Sequence, residues 1–165
     1  MAQHNPLILT DPGIKISIDG TVVGLTELAC DASHVEIAPD TATTTVDTFC
    51  GSRDYPGITK WSLVLTLVQS FDADATEETL SAAVDLGTDV AFELIPYKSQ
   101  AVSATNPSWT GTVRPAPYSP INGDAGDVST VDLEWAVTSG PVKSITPGAA
   151  ATAATQAKEK AKAAA

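Results

Sequence analysis

A chain of 165 residues with 20 acidic and 9 basic side chains carries a net charge of −11. It fits one domain, large enough to bury a core without disulfide or metal. The last twenty residues hold Glu159 with Lys158, Lys160 and Lys162, so the body before them has 19 acids against 6 bases, or −13; such a body repels polyphosphate and excludes an ordinary nucleic-acid-binding module, while suiting a surface that nucleic acid passes without sticking.

Aromatics make up 5% of the chain, so the expected core is Val, Leu, Ile, Ala and Thr, with Trp61, Trp109 and Trp135 as bulky exceptions. No basic-plus-apolar leader opens the sequence and no apolar run is long enough to span a bilayer, so synthesis and residence in a cytosol, without membrane insertion, is expected. Thr-rich segments punctuated by Gly and Pro, with short alternating runs, predict a mainly β domain.

In chain order, residues 1–13, with His4, Pro6 and Pro12 around Leu7–Leu9, form an extended arm that is ordered only if something covers it. Ile14, Ile16 and Ile18 alternate with Lys15, Ser17 and Asp19, which predicts a strand. Asp19-Gly20 is a two-residue hairpin signal, and the chain returns through Thr21–Leu25. Leu28–Ile37 and Thr43–Cys50 are expected to pair around a turn at Pro39-Asp40-Thr41, which sets Cys30 opposite Cys50. Two small buried thiols are expected there rather than a disulfide. His34 lies four residues from Cys30, but a zinc site lacks a fourth ligand. Gly51–Gly57 is expected to be a loop, with Pro56-Gly57 in a type II turn.

The strongest pattern is Lys60–Asp72. Trp61, Leu63, Leu65 and Leu67 fall on one side of an extended chain, rejoined by Phe71, and Ser62, Val64, Thr66 and Val68 fall on the other. This predicts a central strand with a neighbour on each side. Asp74–Gly87 is the one convincing internal helix: Asp74 caps, Glu77 completes a capping-box arrangement, and Gly87 stops it. Leu80, Ala83 and Val84 make its buried stripe, and the acids of its first turn suit the helix dipole better than calcium. Strands follow at Val90–Tyr97, Trp109–Arg114 and Val128–Val137, the last with Val131, Leu133, Trp135 and Val137 inward and Asp132 and Glu134 outward. A loop runs from Pro115 to Asp127, where Asn122-Gly123 suits a turn. Residues 146–165 are Ala/Thr/Lys-rich with nothing to anchor them to a core, and form a tail that is disordered or conditionally helical.

Hydrolase, kinase and dinucleotide motifs are absent, and a Ser-His-Asp constellation would have to use His34. Asp132 and Glu134 sit on the polar face of an alternating strand, where solvation explains them better than glycoside hydrolysis. The chain is expected not to be an enzyme and to need no cofactor.

From about Gly20 to Ile145 the order of features resembles a siphophage major tail tube protein of the kind common in actinobacterial phages. The matching pieces are TVDTFCG at Thr45–Gly51, WSLVLTL from Trp61, the acidic-capped helix Asp74–Gly87, DVAFELIPY at Asp89–Tyr97, SWTGTV at Ser108–Val113 and VDLEWAVTSGPVKSI at Val131–Ile145. The resemblance implies an antiparallel β-sandwich or barrel with one flanking α-helix over residues 14–145. It implies six copies closing into rings that stack into a tube, and a lumen that genomic DNA crosses without specific binding. Tape measure, tail terminator and tip proteins would be partners, and the product would be a virion tail assembled in the host bacterial cytoplasm. In that setting Asp31, Glu36 and Asp47 on the long hairpin are the expected lumen acids. The N-terminal arm, Arg53, Asp54 and Tyr55 in the first loop, and Tyr118, Asn122 and Asp124 in the second, are the expected ring-to-ring contacts. The alternative is an immunoglobulin-like binding or decoration module that uses Tyr55 and Tyr118 as exposed contact residues.

Overall fold

The computed structural model describes residues 7–17, 25–72 and 76–146. His4, the Asp19-Gly20 turn, the Asp74 cap and the tail from residue 147 lie outside the described residues. Seven strands form one antiparallel sheet: β1 (Gly13–Ser17), β2 (Leu25–Glu27), β3 (Ala32–Thr48), β4 (Gly51–Val68), β5 (Val90–Ile95), β6 (Ser108–Arg114) and β7 (Thr130–Ser144), in the order β2-β1-β5-β6-β7-β4-β3. The single described helix, α1 (Thr76–Asp85), crosses from β4 to β5. The sheet curls on itself. Val35 and Ile37 of β3 face Ile14 of β1, Leu94 of β5 and Trp109 of β6 across an apolar cleft of about 150 Å³, so the two ends of one sheet act as the two layers of a sandwich.

Alternation explains which side of each strand is buried. Ile14 and Ile16, then Leu63, Leu65 and Leu67, then Phe92, and then Val131, Leu133 and Trp135 enter one core with Leu80 and Ala83 of α1. Lys60–Asp72 does contain a strand with a neighbour on each side, β3 and β7. It is the penultimate strand, however, and β6 holds the middle of the seven. Phe71 does not rejoin the core: β4 ends at Val68, and Phe71 lies exposed beyond it.

The predicted turn at Pro39-Asp40-Thr41 is not formed. β3 runs straight through it, with Pro39 opposite Trp61 and Asp40 opposite Lys60, and reverses only at Thr48–Gly51. β3 is an edge strand, where proline is tolerated because it need not donate to a ladder. The real turn has its own chemistry: Gly51 takes φ 114°, and the Thr48 hydroxyl accepts from Cys50 N–H while donating to Gly51 O. Gly51–Gly57 is therefore strand, not loop. Beyond the reach of β7 its second edge has no partner among the described residues, and Pro56 fits for the same reason that Pro39 does. At Gly57 the hairpin bulges, with one more residue on β4 than on β3 between Thr41/Thr59 and Thr43/Pro56. A Cβ at Gly57 would meet Ala42 O at 2.9 Å.

The α1–β5 connection is tied to the sheet. Arg114 Nη1 donates to Gly87 O at 2.9 Å, Arg114 Nε pairs with Asp89 Oδ1 at 2.6 Å, and the Thr138 hydroxyl donates to Asp89 Oδ2. The β5–β6 loop is built around buried Asn106. Its Nδ2 donates to Tyr97 O and Gln100 O, and its Oδ1 accepts from Tyr97 N–H. An Asn106→Ala protein is expected to lose about 2 kcal/mol, because buried partners are left unpaired. A urea midpoint lowered at unchanged slope would register this loss. The same loop holds the N-terminal segment, since Asp11 accepts from Ser99 N–H and pairs with Lys98 at 3.8 Å. Hydrogen bonding from Ser99 keeps the Asp11 carboxyl below its ordinary range.

Candidate assembly surfaces

Three surfaces of the described chain are candidates for contact or passage. The first is the outer face of β3, β4 and β7. Register sets Glu36, Val64 and Glu134 in one row and His34, Thr66 and Asp132 in the next. Side chains on one face of neighbouring strands lie side by side, so Glu36, Asp132 and Glu134 form one acidic wall. The Thr66 hydroxyl donates to Asp132 at 2.7 Å, and His34 sits 3.6 Å from Glu36. Of the three acids expected on the hairpin, whose faces the sequence left mixed, only Glu36 is on this wall. Asp31 precedes β3 and accepts from the Thr76 hydroxyl at the start of α1. Asp47 is an odd number of residues from Glu36 along β3 and so points to the opposite face. Asp132 and Glu134, expected from alternation to be solvated on the polar face of their strand, lie beside it on this wall. Alternation in β7 was the available signal, but pairing with β3 through β4 is invisible without register.

The second surface is the distal hairpin. Every residue from Pro39 to Lys60 is exposed, so more than half of β3 and of β4 leave the body as a two-stranded arm. Val46, Tyr55 and Ile58 are exposed on it, and Phe49 at its tip is fully exposed. An isolated two-stranded ribbon is marginally stable in water, and this one displays apolar side chains as well. Its two faces differ. Thr44, Val46, Arg53 and Tyr55 share one face by register. Asp47 and Asp54 share the other, where they accept from the hydroxyls of Ser52 and Thr45.

The third surface is the opposite pole, where β4 ends. Gln69 N–H donates to Ser129 O and Gln69 Nε2 to Pro120 O, while Thr130 N–H donates to Asn122 O. These bonds gather three segments bearing Phe71, Ile121 and Val128, which are 65%, 78% and 69% exposed. Asn122 and Asp124 are exposed here. Tyr118 is not a free contact residue. It packs against the core, and its hydroxyl donates to Glu77 Oε2 at 2.9 Å on α1. Burial and the neighbouring Glu77 push its pKa well above the ordinary tyrosine value. The expected ring-to-ring residues thus split, with Arg53, Asp54 and Tyr55 on the arm and Tyr118, Asn122 and Asp124 towards the other pole.

Cys30 and Cys50 do not face one another, and neither is buried. Cys30 lies in the turn before β3 and Cys50 at the arm tip, both free and exposed. The displaced turn separates them by the length of the hairpin. Among the described residues no group of three or more His, Cys, Asp or Glu is placed to hold a metal ion, and no helix is long and apolar enough to cross a membrane.

No protein-family model matches the chain, and no curated protein does. Solved structures do. The SPP1 tail tube, determined by solid-state NMR and cryo EM, is 14% identical, with a TM-score of 0.68 over 86% of this chain and 81% of that one. The tail of an empty gene transfer agent particle, refined with helical C6 symmetry, is 19% identical, with a TM-score of 0.57 over 88% and 99%. The virion of a native gene transfer agent particle gives 18% and 0.55 over the same shares. The mainly β antiparallel fold, with one helix among the described residues, is therefore a fold shared with the SPP1 tail tube.

Proposed function

We propose that the chain is a structural subunit of a phage tail tube, not an enzyme. It assembles with copies of itself into rings that stack around a DNA conduit. The single observation that carries this reading is the arm, a long ribbon with exposed apolar side chains on a body that has the tail tube fold. The edge strands support it as well. Among the described residues β3 has no partner on its outer side along its whole length, and such an edge is an invitation to pairing unless another chain covers it. The C6 symmetry of one similar tail favours rings of six. The acidic row of Glu36, Asp132 and Glu134 is our candidate for the bore wall, since like charge keeps DNA centred and unbound. We extend the reading to a siphophage-type virion tail built in the host cytoplasm, with tape measure, terminator and tip proteins as partners. The decoration-module alternative loses its motivation because Tyr55 and Tyr118 do not form a common patch.

Negative-stain microscopy tests the proposal. Wild-type protein is expected to form rings or tubes. A variant with Thr43–Pro56 replaced by Asn-Gly is expected to stay monomeric with an unchanged unfolding midpoint. Wild-type protein that remains monomeric at every concentration and salt, even with other tail components added, would rule the proposal out.

A further inference from the structure

We infer that the lysines of the chain's own C-terminal segment dock on the acidic row of Glu36, Asp132 and Glu134, so that a free copy covers this wall and the edge of β3 beside it. The docking stands apart from the tube reading. Its consequence, a brake on self-assembly, rests on that reading.

The distribution of charge selects the occupant. Lys15 pairs with Glu93 at 3.4 Å, Lys98 with Asp11 at 3.8 Å and Arg114 with Asp89 at 2.6 Å. Lys143 Nζ lies 5.8 Å from the centroid of the Trp109 ring. Lys60, opposite Asp40, and Arg53 belong to the arm. Those six are all the lysines and arginines before residue 147. Among the described residues none of them is within ion-pair distance of Asp132 or Glu134, and Glu36 has His34 alone, at 3.6 Å. The remaining cations are Lys158, Lys160 and Lys162, grouped within five residues with Glu159 as the one acid between them. An acidic row without a cation fits a short basic segment.

The chain also leaves the body near this row. β7 ends at Ser144, opposite Ser108, and Lys143 lies opposite Trp109. Trp109 lines one side of the apolar cleft, and Val35, Glu36 and Ile37 of β3 line the other. One end of the acidic row is thus across the cleft from the end of β7. The stretch from Thr146 to Lys158 can reach up to about 40 Å, more than the crossing requires. The acids of the far pole, Asp124 and Asp127, instead precede the start of β7. A single exposed ion pair contributes little. Three on one tether act at an effective concentration in the millimolar range. A lysine-bearing segment lying along an open strand edge also keeps that edge from pairing with another chain. A second copy must therefore displace the segment before β3 can enter an assembly.

Zero-length cross-linking tests the docking. Full-length protein, dilute enough to be monomeric, is treated with a water-soluble carbodiimide, digested and read by mass spectrometry. Amide links from Lys158, Lys160 or Lys162 to Glu36, Asp132 or Glu134 are expected. They should fall about ten-fold or more in high salt, where exposed charges are screened. In a mixture of isotope-labelled and unlabelled protein, each link is expected within one copy. Links mainly to Asp72, Asp124 or Asp127, links between copies, or no links to the wall would overturn the docking, whether or not tubes form. The brake is read separately. Protein carrying Lys158→Gln, Lys160→Gln and Lys162→Gln is expected to assemble in low salt at a concentration about ten-fold below that of wild type. The substitutions make each copy more acidic, so general repulsion alone predicts harder assembly. An unchanged or raised assembly concentration would overturn the brake. Failure of the wild-type and substituted proteins alike to assemble would overturn the tube reading and the brake with it, while the cross-links still decide the docking.

Discussion

A Gly111→Val protein is expected not to fold. Gly111 of β6 lies opposite Phe92 of β5. A Cβ there would stand 2.5 Å from Ser139 O and 2.8 Å from the Phe92 ring. The first obstacle is backbone of β7, which cannot rotate aside, and the second is a ring that is 1% exposed in the core. Overpacking a tight core typically costs up to about 3 kcal/mol, and more where backbone must move; a branched side chain adds two further methyls to the clash. Against a total stability of about 5–15 kcal/mol, the cooperative urea transition should be lost or shifted almost to zero denaturant. Gly111→Ala should fall between the two proteins. A Gly111→Val protein with a wild-type midpoint would show that β5, β6 and β7 do not meet as described.

The second large effect is expected at Trp135. Its side chain is 1% exposed, at the centre of the core, and its Nε1–H donates to Ala116 O at 3.2 Å. Trp135→Ala should cost about 3–5 kcal/mol, from lost burial and from the cavity left behind. It also removes the donor that holds the start of the β6–β7 loop. Trp135→Phe fills most of the space and forfeits only the hydrogen bond, so it should cost about 1–2 kcal/mol. Denaturant midpoints of the two variants separate packing from hydrogen bonding. Both differ from substitutions in the arm, which touch no core residue and should change assembly without changing the midpoint.

The core was largely legible in the order of residues. Leu63, Leu65 and Leu67, Val131, Leu133 and Trp135, and the Leu80–Ala83 stripe were assigned to it by periodicity alone, because the solvent gradient across a strand or helix imprints its own repeat. The errors fell where a local signal has two readings. Pro39-Asp40-Thr41 carries turn residues, yet proline suits an edge strand as well as a turn, and the position of β3 at the edge of the described sheet distinguishes the two. The Gly51 turn was the competing signal. A reversal at Gly51 puts Cys50 at the tip and Arg53, Asp54 and Tyr55 in a strand.

Composition and alternation, both local, were sufficient for an acidic, mainly β body with one helix and for the identity of most buried side chains. Nothing local states how far a hairpin extends past the core it leaves, so the arm emerged only when β3 and β4 were seen to outrun β7. Nor could spacing bring Glu36 beside Glu134, since their neighbourhood is created by the register of β3 on β4 and of β4 on β7. Surfaces shared by distant segments are decided by pairing, and pairing is settled by how the whole sheet buries its apolar face.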